Sequence, residues 1–423
     1  MWLRAMALAL AILFAATAAC GVSPDQGRGP TVLTLWARSD QQAFLQQIID
    51  GFNRSQRDVR VVLTIVPADN FVQKLGVAVA GDAGPDLASI DIVYVPLFAS
   101  SGVLADITAK TRGLPHLNKL SGPHRSNAEY RGRTYALPFS GDASVLYYNV
   151  DLFRAAGLDP DRPPRTWGEM YRAARKIRAL GGDHYGYFFS GAGGGPNIFT
   201  FTPLIWASGG DVLSSRGGKE RPLVGVDPTV TDALRFYRKM WTDGLIDPQS
   251  AADSGEQGIN TFGSGKIGMY PTGAFGLNTL KEDYPNLNFR VTPLPGKHGG
   301  SSSFTGGDDI AITENSRHRD EAWRFLAWST RADVQRRYFG DQGVIPVRED
   351  IALRDYSRKG PEHAALAKAL VNGQTVRSVQ ENALINSDTS PWATMISRGV
   401  FEGAAEQAAD QAQSDMENIL SRG

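Results

Sequence analysis

A chain of 423 residues is too long for one compact core, so two lobes are expected. Its 44 basic and 44 acidic side chains cancel, which leaves no cationic excess to neutralise a nucleic-acid backbone. One cysteine and six scattered histidines offer no HExxH or CxxC spacing, so neither a metal nor another cofactor is expected.

At the N-terminus, Arg4 and the apolar run Ala5 to Ala16 read as a signal peptide over residues 1–19, too short to span a bilayer. Ala18 and Ala19 then precede Cys20, an arrangement that resembles the bacterial lipobox, although Thr17 stands where that pattern usually has Leu. The resemblance implies lipidation of the Cys20 sulfur and a flexible tether over 20–30. The alternative is an ordinary cleaved signal with an incidental cysteine.

Thr31 to Trp36 reads as a strand. Gln41 to Arg54 reads as a helix with Phe44, Leu45, Ile48, Ile49 and Phe52 on one face, and Val59 to Val66 as a second strand. This β-α-β start predicts a parallel sheet with a crossover helix. Asp86 to Val95 reads as a further strand or strand-turn. Thr166 opens a helix as a capping box with Glu169, and Asp227-Pro228 opens another that Gly244 ends. Asp320 to Trp328 and Gly399 to Leu420 complete the clear helices. Gly- and Pro-rich stretches at 191–196, 293–300 and 306–307 read as loops or crossings.

With these elements in place, the chain resembles the family of extracellular solute-binding proteins that serve ABC-type sugar importers. The segment YALPFSGDASVLYYNVDLFRAAGL (135–158) carries most of the likeness. PPRTWGEM (163–170), GPDLASID (84–91), WASGGDVL (206–213), FGSGKIGMYPTGAF (262–275), GGDDIAI (306–312) and GVIPVR (343–348) follow the same family pattern. The resemblance implies an α/β, two-lobed, periplasmic-binding-protein-like clamshell. Each lobe would be a sheet flanked by helices, with interlobe crossings near 138–142, 304–308 and 343–347. The N-terminal lobe would combine 31–139 with 306–342, and the C-terminal lobe 140–305 with 343–423. It also implies a monomer outside the cytoplasm, anchored by lipid to the cell membrane, that hands a sugar-like solute to a membrane permease.

A sugar offers C–H faces for aromatic stacking and hydroxyls for carboxylates, whose charge-assisted hydrogen bonds are strong. Trp206 is the first choice for stacking, with a core tryptophan as the alternative; as a site residue, its loss is expected to leave the apo melting temperature alone. Tyr270, Gly273 and Phe275 would line the ligand or form a buried strand-to-loop turn. Asp40 lies at the carboxyl end of the first strand, where open α/β sheets place ligand groups, or caps the helix after it. Asp91 and Tyr94 follow the GPD turn, and Asp142 sits at the first crossing. Gly307 would let the backbone approach a ligand beside Asp308 and Asp309. Each aspartate could instead sit in a solvated loop. Arg348 could fork onto hydroxyls or a phosphate, since relatives divide between neutral sugars and glycerophosphodiesters; it could equally be a surface arginine.

No residues are assigned to catalysis. FGSGKI (262–267) lacks the first glycine and the final Ser/Thr of a phosphate loop, and no GxSxG elbow occurs. An exported carbohydrate-active enzyme with paired carboxylates, a peptide-binding module and a ligand-free scaffold are the competing readings.

Overall fold

Parallel pairing of the first two strands organises the N-terminal part of the computed structural model, which describes residues 29–215 and 219–422. The expected signal peptide and Cys20 lie outside these residues. Thr31–Arg38 pairs in register with Val59–Val66, from Thr31 opposite Val59 to Arg38 opposite Val66. Between them runs the crossover helix Gln42–Ser55, beginning one residue later than expected because Gln41 belongs to a short 3-10 turn. Its buried face (Leu45, Ile48, Ile49, Phe52) packs with Leu33, Leu35 and Ala37 of the strand, each large side chain contributing about 1.5–3 kcal/mol by burial. Phe52 meets Phe325 edge-on at 5.1 Å, which fixes the helix Arg319–Ser329 against the same layer.

Six strands form this sheet, in the order Ile345–Pro346, Ala136–Ala143, Thr305–Ile312, Leu87–Asp91, Thr31–Arg38, Val59–Val66. Thr305–Ile312 lies in the middle and runs antiparallel to both of its neighbours. A second sheet has four strands, in the order Phe289–Thr292, Val145–Asn149, Ile267–Thr272, Tyr185–Tyr187. Helices Trp167–Arg178 and Pro228–Thr242 pack in the core of that half. The fold is thus α/β, with two main sheets that each carry helices and, among the described residues, three two-stranded ribbons.

Local signals account for the helix ends. Thr166 Oγ1 accepts the Glu169 N–H at 3.2 Å, but the Glu169 carboxylate reaches one residue further back than a capping box, to the Arg165 N–H at 2.7 Å. Asp227 accepts the Thr229 N–H at 2.9 Å, and Gly244 ends the same helix region at φ 66°.

Two expectations are corrected. Gly306 and Gly307 lie inside a strand, not a loop. Gly307 has φ 110° next to a bulge between Asp308 and Asp309, and a Cβ there would sit 2.1 Å from the Ser140 carbonyl oxygen. Glycine here permits a tight strand-to-strand approach. The single helix expected over 399–420 is two pieces, Arg398–Glu402 and Ala405–Arg422, because Gly403 takes φ 84°, which no α-helix contains. Asp86 to Val95 takes the strand-turn form: the strand stops at Asp91, whose carboxylate accepts the Val93 N–H at 3.3 Å and turns the chain into a 3-10 turn.

Where one sheet gives way to the other, three chain segments lie side by side. The Ser144 N–H donates to the Phe304 carbonyl at 3.1 Å, and the Ser144 hydroxyl accepts the Phe304 N–H at 2.9 Å. The Thr305 N–H donates to the Gln374 carbonyl at 2.7 Å, and the Gln374 N–H to Ser303 at 3.0 Å. These bonds keep the three segments in register at the join.

Candidate functional site

Strand direction brings the polar residues to one end of the six-stranded sheet. The parallel strands Thr31–Arg38 and Leu87–Asp91 deliver their carboxyl ends there. Thr305–Ile312 runs the other way, so its first half arrives at the same end, opposite the last residues of Ala136–Ala143. Asp308 consequently faces Asp91 on one side and Ser140 on the other, and Gly306 faces Asp142. Arg38 Nη1 donates to Asp308 Oδ1 at 2.8 Å, Arg38 Nη2 donates to Asp40 Oδ2 at 3.2 Å, and the Ser140 hydroxyl donates to Asp308 Oδ2 at 3.2 Å. The Arg38 and Asp308 side chains are only 15% and 7% exposed, so this ion pair sits largely out of water.

Enclosure shapes the acid–base behaviour of the group. Burial alone would lower the Arg38 pKa, but Asp308, Asp91 and Asp40 together hold it above the ordinary value. Burial pushes Asp91 up to about 6, with Arg38 opposing and Asp308 assisting. Burial pushes Asp142 up to about 7, against the pull of two backbone N–H groups, Ala274 at 2.7 Å and Ala143 at 2.8 Å. Asp309 and Glu381 are enclosed with neither carboxyl oxygen partnered among the described residues, and burial holds both well above the carboxylate range.

Both N–H groups at Asp142 bond to the same oxygen, Oδ1, which an asparagine can reproduce. The folded-state pKa of Asp142 is raised, so its contribution is fully present below about pH 4 and is lost as pH rises through about 7. Asp142→Asn is therefore expected to make the apo protein more stable than the parent at about pH 8, on the order of a few kcal/mol, with the difference closing near pH 4. Melting curves across that range check this; a variant equally destabilised at both ends would contradict it.

Of the residues expected from the sequence, Asp40, Asp91, Asp142, Gly307 and Asp308 gather at this end of the sheet. Asp40 does not cap the following helix; its carboxylate is 59% exposed and pairs with Arg38. The Tyr94 hydroxyl donates to Asn382 Oδ1 at 3.3 Å and accepts from Asn386 Nδ2. Gly273 is wedged beside Asp142: a Cβ there would lie 2.6 Å from Asp142 Oδ2 and 2.5 Å from the Phe275 ring. Phe275 opens the next helix and is 55% exposed.

The other three are engaged elsewhere. Trp206 is 8% exposed, stacks on Phe304 at 6.1 Å and 16°, and donates its indole N–H to Asp211 at 2.8 Å. Tyr270 is buried between Phe188 and Phe262. Arg348 forks onto the Asp350 carboxylate at 2.8 and 2.6 Å, which ties its guanidinium to a neighbour two residues away.

The sequence reading missed Arg38, Ser140, Glu381, Asn382 and Asn386. Arg38 had a signal, a basic residue ending the first strand two positions before Asp40. Glu381 lies in an ordinary polar stretch and had none.

Among the described residues no group of three His, Cys, Asp or Glu is placed to hold a metal ion, and no helix is long and apolar enough to cross a membrane. Two surface grooves, of about 290 and 390 Å³, lie away from the acidic group. What the group can do is accept several hydrogen bonds from a hydroxyl-bearing molecule, with an exposed aromatic ring alongside.

The family model for the bacterial extracellular solute-binding protein matches residues 36–336. A Brucella abortus protein named as a binding protein is 27% identical over 328 residues, covering 77% of this chain and 78% of the relative. The diacetylchitobiose-binding protein of Streptomyces coelicolor is 25% identical over 438 residues, covering 98% of each chain. Among solved structures, an ABC transporter solute-binding protein of Thermotoga lettingae bound with α-D-tagatose superposes with a TM-score of 0.80 at 22% identity, covering 92% of this chain and 100% of that one. The last likeness is one of fold.

Proposed function

We propose, from the premise that this chain belongs to the family of bacterial extracellular solute-binding proteins, that it is the substrate-binding component of an ABC-type importer and captures a carbohydrate outside the cytoplasm. The observation that carries this reading is the convergence of Asp91, Asp142 and Asp308 at one end of the six-stranded sheet, beside the join between the two sheets. Carboxylates in that position accept hydrogen bonds from hydroxyls, and the exposed ring of Phe275 offers a face to sugar C–H groups. Lobes that bend at the join and close over the solute would present a distinct closed form to the permease, populated in proportion to the solute's preference for it.

The two lobes would divide at the join, near Ser144, Phe304 and Gln374, which leaves Ile345–Pro346 with the six-stranded sheet rather than with the C-terminal lobe read from the sequence. The signal segment and Cys20 support export and a lipid anchor on the outer face of the membrane. The chain is read as a binder that leaves its solute unaltered. Glycerophosphodiesters are disfavoured because Arg348 is committed to Asp350 and Arg38 is surrounded by carboxylates. Trp206 and Tyr270 are assigned to packing.

A thermal-shift panel on the chain lacking its first 20 residues tests the reading, with monosaccharides, disaccharides, amino sugars and glycerophosphodiesters as probes. At about 100-fold over Kd a bound sugar should stabilise the fold by nearly 3 kcal/mol. Phe275→Ala is expected to weaken that sugar about tenfold or more while leaving the apo melt nearly unchanged, because the ring is exposed. Stabilisation by a phosphodiester or a peptide and by no sugar would overturn the carbohydrate assignment.

A further inference from the structure

We infer that the captured carbohydrate carries a free cationic amine, received by Glu381 together with Asp91; the inference rests on the carbohydrate-binding reading above. Five carboxyl groups belong to the site: Asp40, Asp91, Asp142, Asp308 and Glu381. Among the described residues their one ion-pair partner is Arg38, which bonds Asp308 and Asp40. The positive charge of Arg38 is therefore committed at one side of the group, and Asp91, Asp142 and Glu381 have no ion-pair partner.

Glu381 provides the independent observation. It is 1% exposed, and neither of its oxygens has a hydrogen-bond partner among the described residues. A buried carboxyl without a partner carries a large desolvation cost. It immediately precedes the turn Asn382–Asn386, whose two asparagine side chains meet the Tyr94 hydroxyl. Leu384 and Ile385 of that turn pack in the core of the other half of the molecule. Glu381 thus approaches Asp91 and Tyr94 from the opposite side of the join. The electrostatics agree: after burial, Asp91 is the group that raises the Glu381 pKa, and Asp91 and Glu381 both raise that of Tyr94.

A partner for this pair of carboxyls must bring positive charge and several donors. A metal ion is a poor fit, since no three such ligands among the described residues are placed to bind one. A neutral sugar brings donors without charge, and an N-acylated amino sugar has lost its charge. A protonated amine brings three N–H donors and one positive charge; as it binds, Glu381 gives up its proton to solvent, and the charge-assisted pairing with the two carboxylates recovers their desolvation.

Titration calorimetry with glucosamine, N-acetylglucosamine and glucose, and with their β-1,4-linked disaccharides, tests this at neutral pH. The amine forms are expected to bind about tenfold tighter, or more, than the acetylated and parent forms. Glu381→Gln, confirmed as folded by its melt, is expected to remove that preference, bringing the amine forms to within about twofold of the neutral sugars measured on the same variant. Equal or tighter binding of the neutral sugars to the parent protein would overturn the inference while sparing the carbohydrate reading. Failure of every sugar would overturn both. An amine preference that survives in Glu381→Gln would also overturn it.

Discussion

Replacing Arg38 with methionine is expected to destabilise the apo protein by about 3–5 kcal/mol at neutral pH. Methionine retains most of the apolar stem, so little of the loss would come from an unfilled cavity. The loss arises because Asp308, 7% exposed, keeps only the Ser140 hydroxyl at 3.2 Å, while Asp91 loses the charge that opposes its burial. Removing one member of a buried pair leaves the other charge uncompensated. The pH dependence follows from the same cause. Without Arg38 the Asp91 carboxyl has a folded-state pKa further above its unfolded one, so its contribution is present below about pH 4 and is lost as pH rises through the folded value. The deficit of the variant should be largest near neutrality and should shrink in mild acid. Denaturant unfolding at two pH values reads it, and a deficit that stays constant with pH would count against this account.

Truncating Trp206 to alanine is expected to cost about 3–5 kcal/mol of apo stability. Its ring is stacked on Phe304, and Phe304 in turn contacts Phe199, so the truncation opens a gap in a run of three aromatic rings. Asp211 would also lose the indole donor, keeping only the Val212 N–H at 2.8 Å on the same oxygen. The expectation that this tryptophan could be removed without changing the apo melt is therefore reversed. Trp206→Phe, which keeps much of the ring area, should recover a large part of the loss. An alanine variant melting with the parent protein, yet blind to sugar, would restore Trp206 to the ligand.

The contrast between Trp206 and Phe275 marks how far the sequence could be read. Both lie in family-like segments beside glycines. Trp206 ends the short helix Thr202–Trp206, all of whose residues are buried, whereas Phe275 begins a helix just after Gly273 and stays exposed. Which way a ring turns depends on packing across the fold, and local spacing does not carry it. The first β-α-β unit was legible because its apolar residues repeat at the strand and helix periods. Gly307 was misread because a glycine pair looks the same in a loop as at a bulge, and the Ser140 carbonyl that demands glycine lies on a different strand. Arg38 was missed for a similar reason: its partner Asp308 is 270 residues away in the chain. Asp91, Asp142 and Asp308 could be nominated singly, but their convergence depends on one strand running against its neighbours.

That reversed central strand has a consequence for how the protein is made. Until Thr305–Ile312 leaves the ribosome, Leu87–Asp91 and Ala136–Ala143 have nothing between them, and the sheet cannot close. More than two thirds of the chain must be translated before the first sheet is complete, and long-range pairing of this kind forms slowly. For a polypeptide bound for secretion the delay is useful, because a nascent chain that cannot finish folding stays threadable through a translocation pore.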